Sequence, residues 1–188
     1  MTTVAAIKTS TCVVMACDSA FIDNWHMPIH IKEKKIFSNK NFIFGAMGQT
    51  KLIHALKDVF VPPLIKGEIN KYIKTIFIKK LRECLRETNC LSKDKEVECI
   101  VGDGAILVGY KNFLYVIYHD FDIVEIEDFI AIGSGYHLAT AAIDLLRHPS
   151  YSDKKILAKA LQITSKYNTA TRPPFYVVDT KEFKVERI

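Results

Sequence analysis

Hairpins and pairs of amphipathic helices alternate along this chain, and that order restricts its architecture more than any other feature. Thr3 to Lys8 and Thr11 to Ala16 are apolar, partly β-branched runs with only Thr9-Ser10 between them. So short a connection predicts an antiparallel hairpin whose open end brings Thr2 beside Asp18. Lys34 to Phe37 and Asn41 to Ala46 form a second hairpin around Ser38-Asn39-Lys40. Gln49 to Phe60 then spaces Leu52, Ile53, Leu56 and Val59 as one helical face, and Pro62-Pro63 stops it. Glu68 to Thr88 is a longer amphipathic helix, and the polar Leu91 to Glu98 reads as a loop. Strands return at Ala105 to Tyr110 and Phe113 to His119, joined by the two-residue turn Lys111-Asn112. Phe129 to Ile132 runs into Gly133-Ser134-Gly135. Helices follow at Tyr136 to Arg147 and Ser152 to Tyr167, the second capped by Ser152-Asp153. Phe175 to Val178 and Phe183 to Ile188 close the chain. Hairpins between helix pairs imply antiparallel sheets with helices outside, not a doubly wound parallel sheet. The expectation is an α+β fold with two stacked sheets between helical layers. With no linker or repeat in its 188 residues, the chain reads as one domain, 1–188.

Composition narrows the function classes. The formal charge is +5, but the lysines are scattered as pairs and singles such as Lys34-Lys35, Lys79-Lys80 and Lys154-Lys155. That is a solvated surface and not a phosphate-tracking block, so no nucleic-acid partner is expected. No apolar run approaches the roughly 20 residues needed to span a bilayer, and no basic region with an apolar core opens the chain. Membrane insertion and secretion are therefore not expected. The five cysteines, Cys12, Cys17, Cys84, Cys90 and Cys99, contain no Cys-x-x-Cys pair. They fit a reducing, cytoplasmic setting and neither a disulfide framework nor a zinc site. His26 and His30 have helical spacing, but Pro28 between them argues against a metal pair. No metal or cofactor is expected.

The chain begins Met1-Thr2-Thr3-Val4. Removal of Met1 would leave Thr2 with a hydroxyl and a free α-amine, which titrates near about 8. One residue would then hold both a nucleophile and its base. Further along come Met15-Ala16-Cys17-Asp18-Ser19, Lys34-Lys35-Ile36-Phe37, Phe44-Gly45-Ala46-Met47-Gly48 and Ala131-Ile132-Gly133-Ser134-Gly135. These pieces, in this order and at these spacings, resemble the proteasome-type N-terminal-nucleophile hydrolases. That family includes proteasome β subunits, the bacterial HslV peptidase and short bacterial and phage proteasome-like proteins. The resemblance covers nearly the whole chain and implies a four-layer α/β/β/α sandwich.

The resemblance also implies a catalytic set. Thr2 is the nucleophile after Met1 removal. Asp18 pairs with a lysine and holds it beside Thr2, where an ammonium favours the neutral amine and the anionic hydroxyl. Lys32, Lys34 and Lys35 compete for that role. Lys35 is favoured because Lys-Lys-Ile-Phe resembles the family's lysine followed by an aliphatic residue, although a gapless count lands on Lys34. Gly45 supplies the oxyanion-hole N–H, Ser134 hydrogen-bonds the terminal amine, and Phe21, Ile43 and Met47 line the substrate pocket. The stretch Asn168-Thr169-Ala170-Thr171 replaces the acid-Ser-x-Ser segment of proteasome β subunits, so Asn168 brings a hydrogen-bonding amide without negative charge. Arg172-Pro173-Pro174 replaces the glycines usual after it. The implied activity is threonine-type endopeptidase action on unfolded proteins or peptides. The implied assembly is a hexameric or heptameric homo-oligomeric ring, single or stacked, fed by a separate ATP-dependent unfoldase, since this chain has no nucleotide-binding loop. The alternatives are a catalytically silent ring subunit or scaffold that keeps Met1, and a small-molecule amidase on the same fold.

Overall fold

The computed structural model of the chain describes residues 2–22, 28–29, 32–94 and 96–188. Met1, His26 and His30 lie outside the described residues. The first hairpin is β1 (Thr3–Lys8) and β2 (Val13–Cys17), paired antiparallel with Val4 opposite Cys17. A short pairing of β3 (Phe21–Ile22) with β4 (Pro28–Ile29) follows. The second hairpin is β5 (Ile36–Asn39) with β6 (Phe42–Met47). Its turn sits one residue later than the sequence predicts, because Lys40 takes the left-handed conformation at φ 52°.

The first helical layer has α1 (Thr50–His54), which continues into a π-helical turn at Ala55–Val59. It also has α2 (Ile69–Tyr72), which runs through a second π-helical turn at Ile73–Phe77 into α3 (Ile78–Glu87). The segment expected as a loop is a hairpin instead, β7 (Leu91–Asp94) against β8 (Val97–Ile100). Its polar strands stand outside the main sheets, so no alternation of apolar residues betrays them. The second half supplies β9 (Ala105–Tyr110), β10 (Phe113–Ile117), β11 (Ile123–Ile126) and β12 (Phe129–Gly133). Then come α4 (Tyr136–Leu146), α5 (Asp153–Tyr167), β13 (Tyr176–Asp179) and β14 (Glu186–Arg187). Ser152 caps α5, its hydroxyl accepting from the Lys155 N–H at 3.4 Å.

Two five-stranded sheets result, both antiparallel: β12-β1-β2-β13-β14 and β11-β10-β9-β6-β5. Side chains alternate across each strand, so each sheet feeds two cores. Val4, Ala6, Met15, Ile43 and Leu107 meet between the sheets. Ala5, Ile7, Val14 and Ala16 pack outward on α4 and α5. On the other side Phe37, Phe42 and Phe44 pack on Phe60, Tyr72 and Phe77 from the first helical layer. The order is helices, sheet, sheet, helices, the α+β sandwich expected from the hairpin and helix alternation. Among the described residues no helix is long and apolar enough to cross a membrane. No described group of three or more His, Cys, Asp or Glu side chains is placed to share a metal ion.

Aromatic rings dominate the core between the second sheet and the first helical layer. Phe44 stacks on Phe37 at 5.6 Å and on Phe77 at 6.3 Å, and meets Phe60 edge-on at 6.2 Å. Phe44→Ala is expected to lower the unfolding free energy by about 3–5 kcal/mol, read from the urea midpoint at unchanged slope.

Candidate active site

The open end of the first hairpin gathers the polar residues. Asp18 follows β2 directly, and its N–H donates to the Thr3 carbonyl at 3.1 Å. Lys35 immediately precedes β5, in the other sheet. The two side chains meet at 2.8 Å between Lys35 Nζ and Asp18 Oδ1, and each residue is 1% exposed. Of the three competing lysines, this one is buried beside Asp18. Lys34 turns away, with Nζ 4.7 Å from the centre of the Tyr176 ring, and Lys32 is exposed. Both neighbours lie just ahead of β5, and their side chains go to different partners, Tyr176 and Asp18.

Asp18 is saturated with donors. The Thr3 N–H donates to Oδ1 at 2.8 Å, the same oxygen that Lys35 uses. The Ala20 and Arg172 N–H groups donate to Oδ2 at 2.8 and 3.3 Å. Through the shared oxygen the ammonium is held within two hydrogen-bond lengths of the Thr3 amide, one residue from Thr2. The ring of Phe21 lies 5.1 Å from Lys35 Nζ and covers that charge.

The Gly133-Ser134-Gly135 loop closes over Thr2. Its two glycines are forced by proximity. Gly133 has φ +93°, and a Cβ there would collide with the Thr2 carbonyl. A Cβ on Gly135 would strike the Thr3 hydroxyl and approach Thr171 Oγ1 to 2.8 Å. Gly135 itself takes the N-cap position of α4 without a side-chain cap, so Ser134 does not serve as that cap. Ser134 Oγ instead lies 3.4 Å from both the Thr2 nitrogen and the Thr2 oxygen. Asn168 acts one step back. Its Nδ2 donates to the Ser134 carbonyl at 2.9 Å and its Oδ1 accepts from the Ala170 N–H at 2.9 Å. Thr171 hydrogen-bonds Thr3, hydroxyl to hydroxyl, at 2.6 Å.

Thr2 opens onto a cleft of about 460 Å³ shared with Met47, Gly48, Gly102, Asp103, Gly133 and Ser134. Three residues expected here are absent from that lining: Phe21, which packs over Lys35, Gly45 and Ile43. Gly45 sits inside β6, between Ile36 and Leu107, and a Cβ on it would come within 2.7 Å of Val4 Cγ1. Its bare backbone lets the two sheets approach, and it is absent from the cleft lining. Ile43 is fully buried in the same intersheet core. The reason is geometric: Ile43, Gly45 and Met47 share one face of β6, and of these Met47 reaches the Thr2 end. Gly48 and Asp103 are cleft residues that the sequence reading did not select. Glycine at both 102 and 104, flanking an acid ahead of a strand, was the available signal.

Cys17, next to Asp18, is not a rival nucleophile. It is fully buried. Burial pushes its thiol up to about 12, the Asp18 charge adds to the rise, and Lys35 opposes it. All five cysteines are free and buried.

Asp18→Ala is expected to cost about 3–5 kcal/mol of stability, because it strands a buried ammonium. Asp18→Leu combined with Lys35→Met should recover the part owed to the stranded ammonium and not the part owed to the Thr3, Ala20 and Arg172 amides, which still lack an acceptor. Equal losses in the single and double variants, measured by urea unfolding, would contradict the pairing as an energetic unit.

No protein-family model matches the chain. No curated protein matches it in sequence. Solved structures do match. BPH of Thiobacillus denitrificans superposes with a TM-score of 0.80 at 17% identity, over 97% of this chain and 98% of that one. It has also been solved in complex with epoxomicin. Eukaryotic HslV from Trypanosoma brucei gives 0.67 at 18% identity, over 94% and 98% of the two chains. Anbu (ancestral beta-subunit) from Yersinia bercovieri gives 0.68 at 14% identity, over 99% and 86%. At these identities the likeness speaks for the backbone architecture: this chain has the proteasome-type N-terminal-nucleophile hydrolase fold.

Proposed function

We propose that this protein is a threonine-type endopeptidase acting on unfolded proteins or peptides, with Thr2 as nucleophile once Met1 is removed. The observation that carries the reading is the buried Asp18–Lys35 pair, anchored to the Thr3 amide one residue from a threonine that lines an open cleft. With Met1 removed, the Thr2 α-amine takes the hydroxyl proton, through a water, as Oγ1 attacks the peptide carbonyl. The fixed Lys35 charge favours the neutral amine and the developing alkoxide. The oxyanion of the tetrahedral intermediate falls to the backbone at Gly48, in place of Gly45, because Gly48 shares the cleft with Thr2. A lost oxyanion donor costs about 3 kcal/mol of transition-state stabilisation. Collapse expels the amine fragment, which takes the proton back from the Thr2 amine and leaves an ester on Oγ1. Water hydrolyses the ester and frees the acid. Ser134 orients the amine and Asn168 holds Ser134, so the residue in the family's acid position is a positioning group here.

Assembly into a homo-oligomeric ring, fed by a separate ATP-dependent unfoldase in the cytoplasm, belongs to the same proposal. Leu145 on α4 and Leu64 after α1, 85% and 81% exposed, are apolar side chains that an assembly would cover. A species of 21.4 kDa by light scattering would argue against the ring.

Intact mass is the deciding measurement. The wild type should lack Met1 and cleave an unfolded casein-like substrate, Thr2→Ala should abolish cleavage, and a threonine-directed inhibitor should add its mass at Thr2. Alkylation with iodoacetamide should leave the activity intact, since no described cysteine is both exposed and ionised. Retained Met1 together with no cleavage would leave the silent scaffold as the reading, and cleavage confined to small amides would leave the amidase.

A further inference from the structure

The Thr2 cleft has one charged side chain in its lining, the carboxylate of Asp103. It also borders an adjoining groove of about 390 Å³ that shares Met47, Asp103 and Gly133 with the cleft and continues along His119, Ile130, Ile132 and Tyr136. Among the described residues no lysine or arginine lines either space, and no cation pairs with Asp103. His119 lines the same groove as Asp103. In a chain of formal charge +5, an exposed acid on the Thr2 cleft with no lysine or arginine beside it among the described residues is a selective feature.

The backbone fixes it there. Gly102 at φ +66° and Asp103 at φ +51° are consecutive left-handed residues, a conformation open to Gly and tolerated by Asp and Asn. Gly104 is clamped: a Cβ on it would lie 2.6 Å from Ile100 Cγ2 and 3.3 Å from the Met47 carbonyl. A Cβ on Gly48 would in turn lie 3.1 Å from Gly104 Cα. The turn that presents Asp103 therefore packs backbone to backbone on the Met47-Gly48 segment that also lines the cleft.

We propose that Asp103 is a specificity residue that selects an organic cation next to the scissile bond, a lysine or arginine side chain or a free peptide α-ammonium. The carboxylate supplies the charge, and Met47, Ile130, Ile132 and Tyr136 supply an apolar wall for the methylene stem of the bound side chain. The inference rests on the peptidase reading for its location, but its binding arm does not need turnover.

Thr2→Ala protein is titrated with end-blocked peptides of one length that carry lysine, norleucine or glutamate at a single position. The expected order is lysine, norleucine, glutamate, with lysine about tenfold tighter than norleucine at low salt and the gap closing at high salt. An unblocked norleucine peptide that matches the lysine peptide assigns the preference to the α-ammonium instead, still through Asp103. Adding Asp103→Asn should remove the gap, and Asp103→Lys should invert it. Both substitutions suit the backbone, since Lys40 and Lys111 already hold φ 52° and 50° in this chain. In wild-type turnover, the lysine-to-norleucine ratio of kcat/KM should follow the binding ratio. Wild-type protein that cleaves none of the peptides sinks the peptidase reading, while the Thr2→Ala titration still decides the cation site. Equal binding of all three peptides by Thr2→Ala overturns the proposal. So does an Asp103→Asn variant that slows every peptide by the same factor, which would tie Asp103 to the Thr2 amine.

Discussion

The ion pair between Asp18 and Lys35 fixes the relation between the two sheets at the end where Thr2 lies. Burying both partners removes two ions from water, at an effective penalty of roughly several kcal/mol for each. Hydrogen bonds must offset that cost, and Asp18 accepts four: from the Lys35 ammonium and from the amides of Thr3, Ala20 and Arg172. Those donors come from β1, the chain after β2, the approach to β5, and the segment before β13. Four distant stretches thus converge on one carboxylate. A buried ion pair is by itself weak evidence for stability, but here the carboxylate is also the acceptor for three backbone amides that an apolar residue would orphan. Its location beside Thr2 gives it a chemical reading.

Backbone closeness does the rest of the positioning. Three glycines permit contacts that any side chain would block. Gly45 lets β6 approach Val4 on β1, and Gly133 and Gly135 let the Ser134 loop press on Thr2 and Thr3. Ser134 can then reach both the nitrogen and the oxygen of Thr2 because neither neighbour carries a Cβ. Rigidity at this end comes from steric necessity more than from the individual hydrogen bonds, each of which contributes about 1 kcal/mol net.

Much of this was legible in the sequence, and the misses have physical causes. The first hairpin, the Lys111-Asn112 turn and the helices of the second half follow from local rules: turn length, apolar period and capping. The pairing of Asp18 with a lysine, and the choice of Lys35 over Lys34, came from the family resemblance and not from local rules; the folded chain places Lys35 Nζ 2.8 Å from Asp18. Gly45 was chosen for its motif and belongs to the sheet interface. A glycine in a strand signals close backbone approach without saying to what, and here it is Val4. The hairpin of β7 and β8 escaped because its strands are too polar to show a period. Asp103 escaped because it shares the cleft with Thr2 only in the folded chain, a relation between residues about a hundred positions apart.

The departure at Asn168 makes most sense when read with the rest of the cleft. The amide makes a contact that a carboxylate could not, a donation from Asn168 Nδ2 to the Ser134 carbonyl. What the amide cannot provide is negative charge near the Thr2 nitrogen. In the proposed mechanism the Ser134 hydroxyl, 3.4 Å from the Thr2 nitrogen, orients that amine, while the Lys35 ammonium is already balanced by Asp18 at 2.8 Å. The negative charge in the cleft lining is that of Asp103. The amide at 168 therefore fixes geometry and leaves the electrostatics around the amine to groups contributed by other segments.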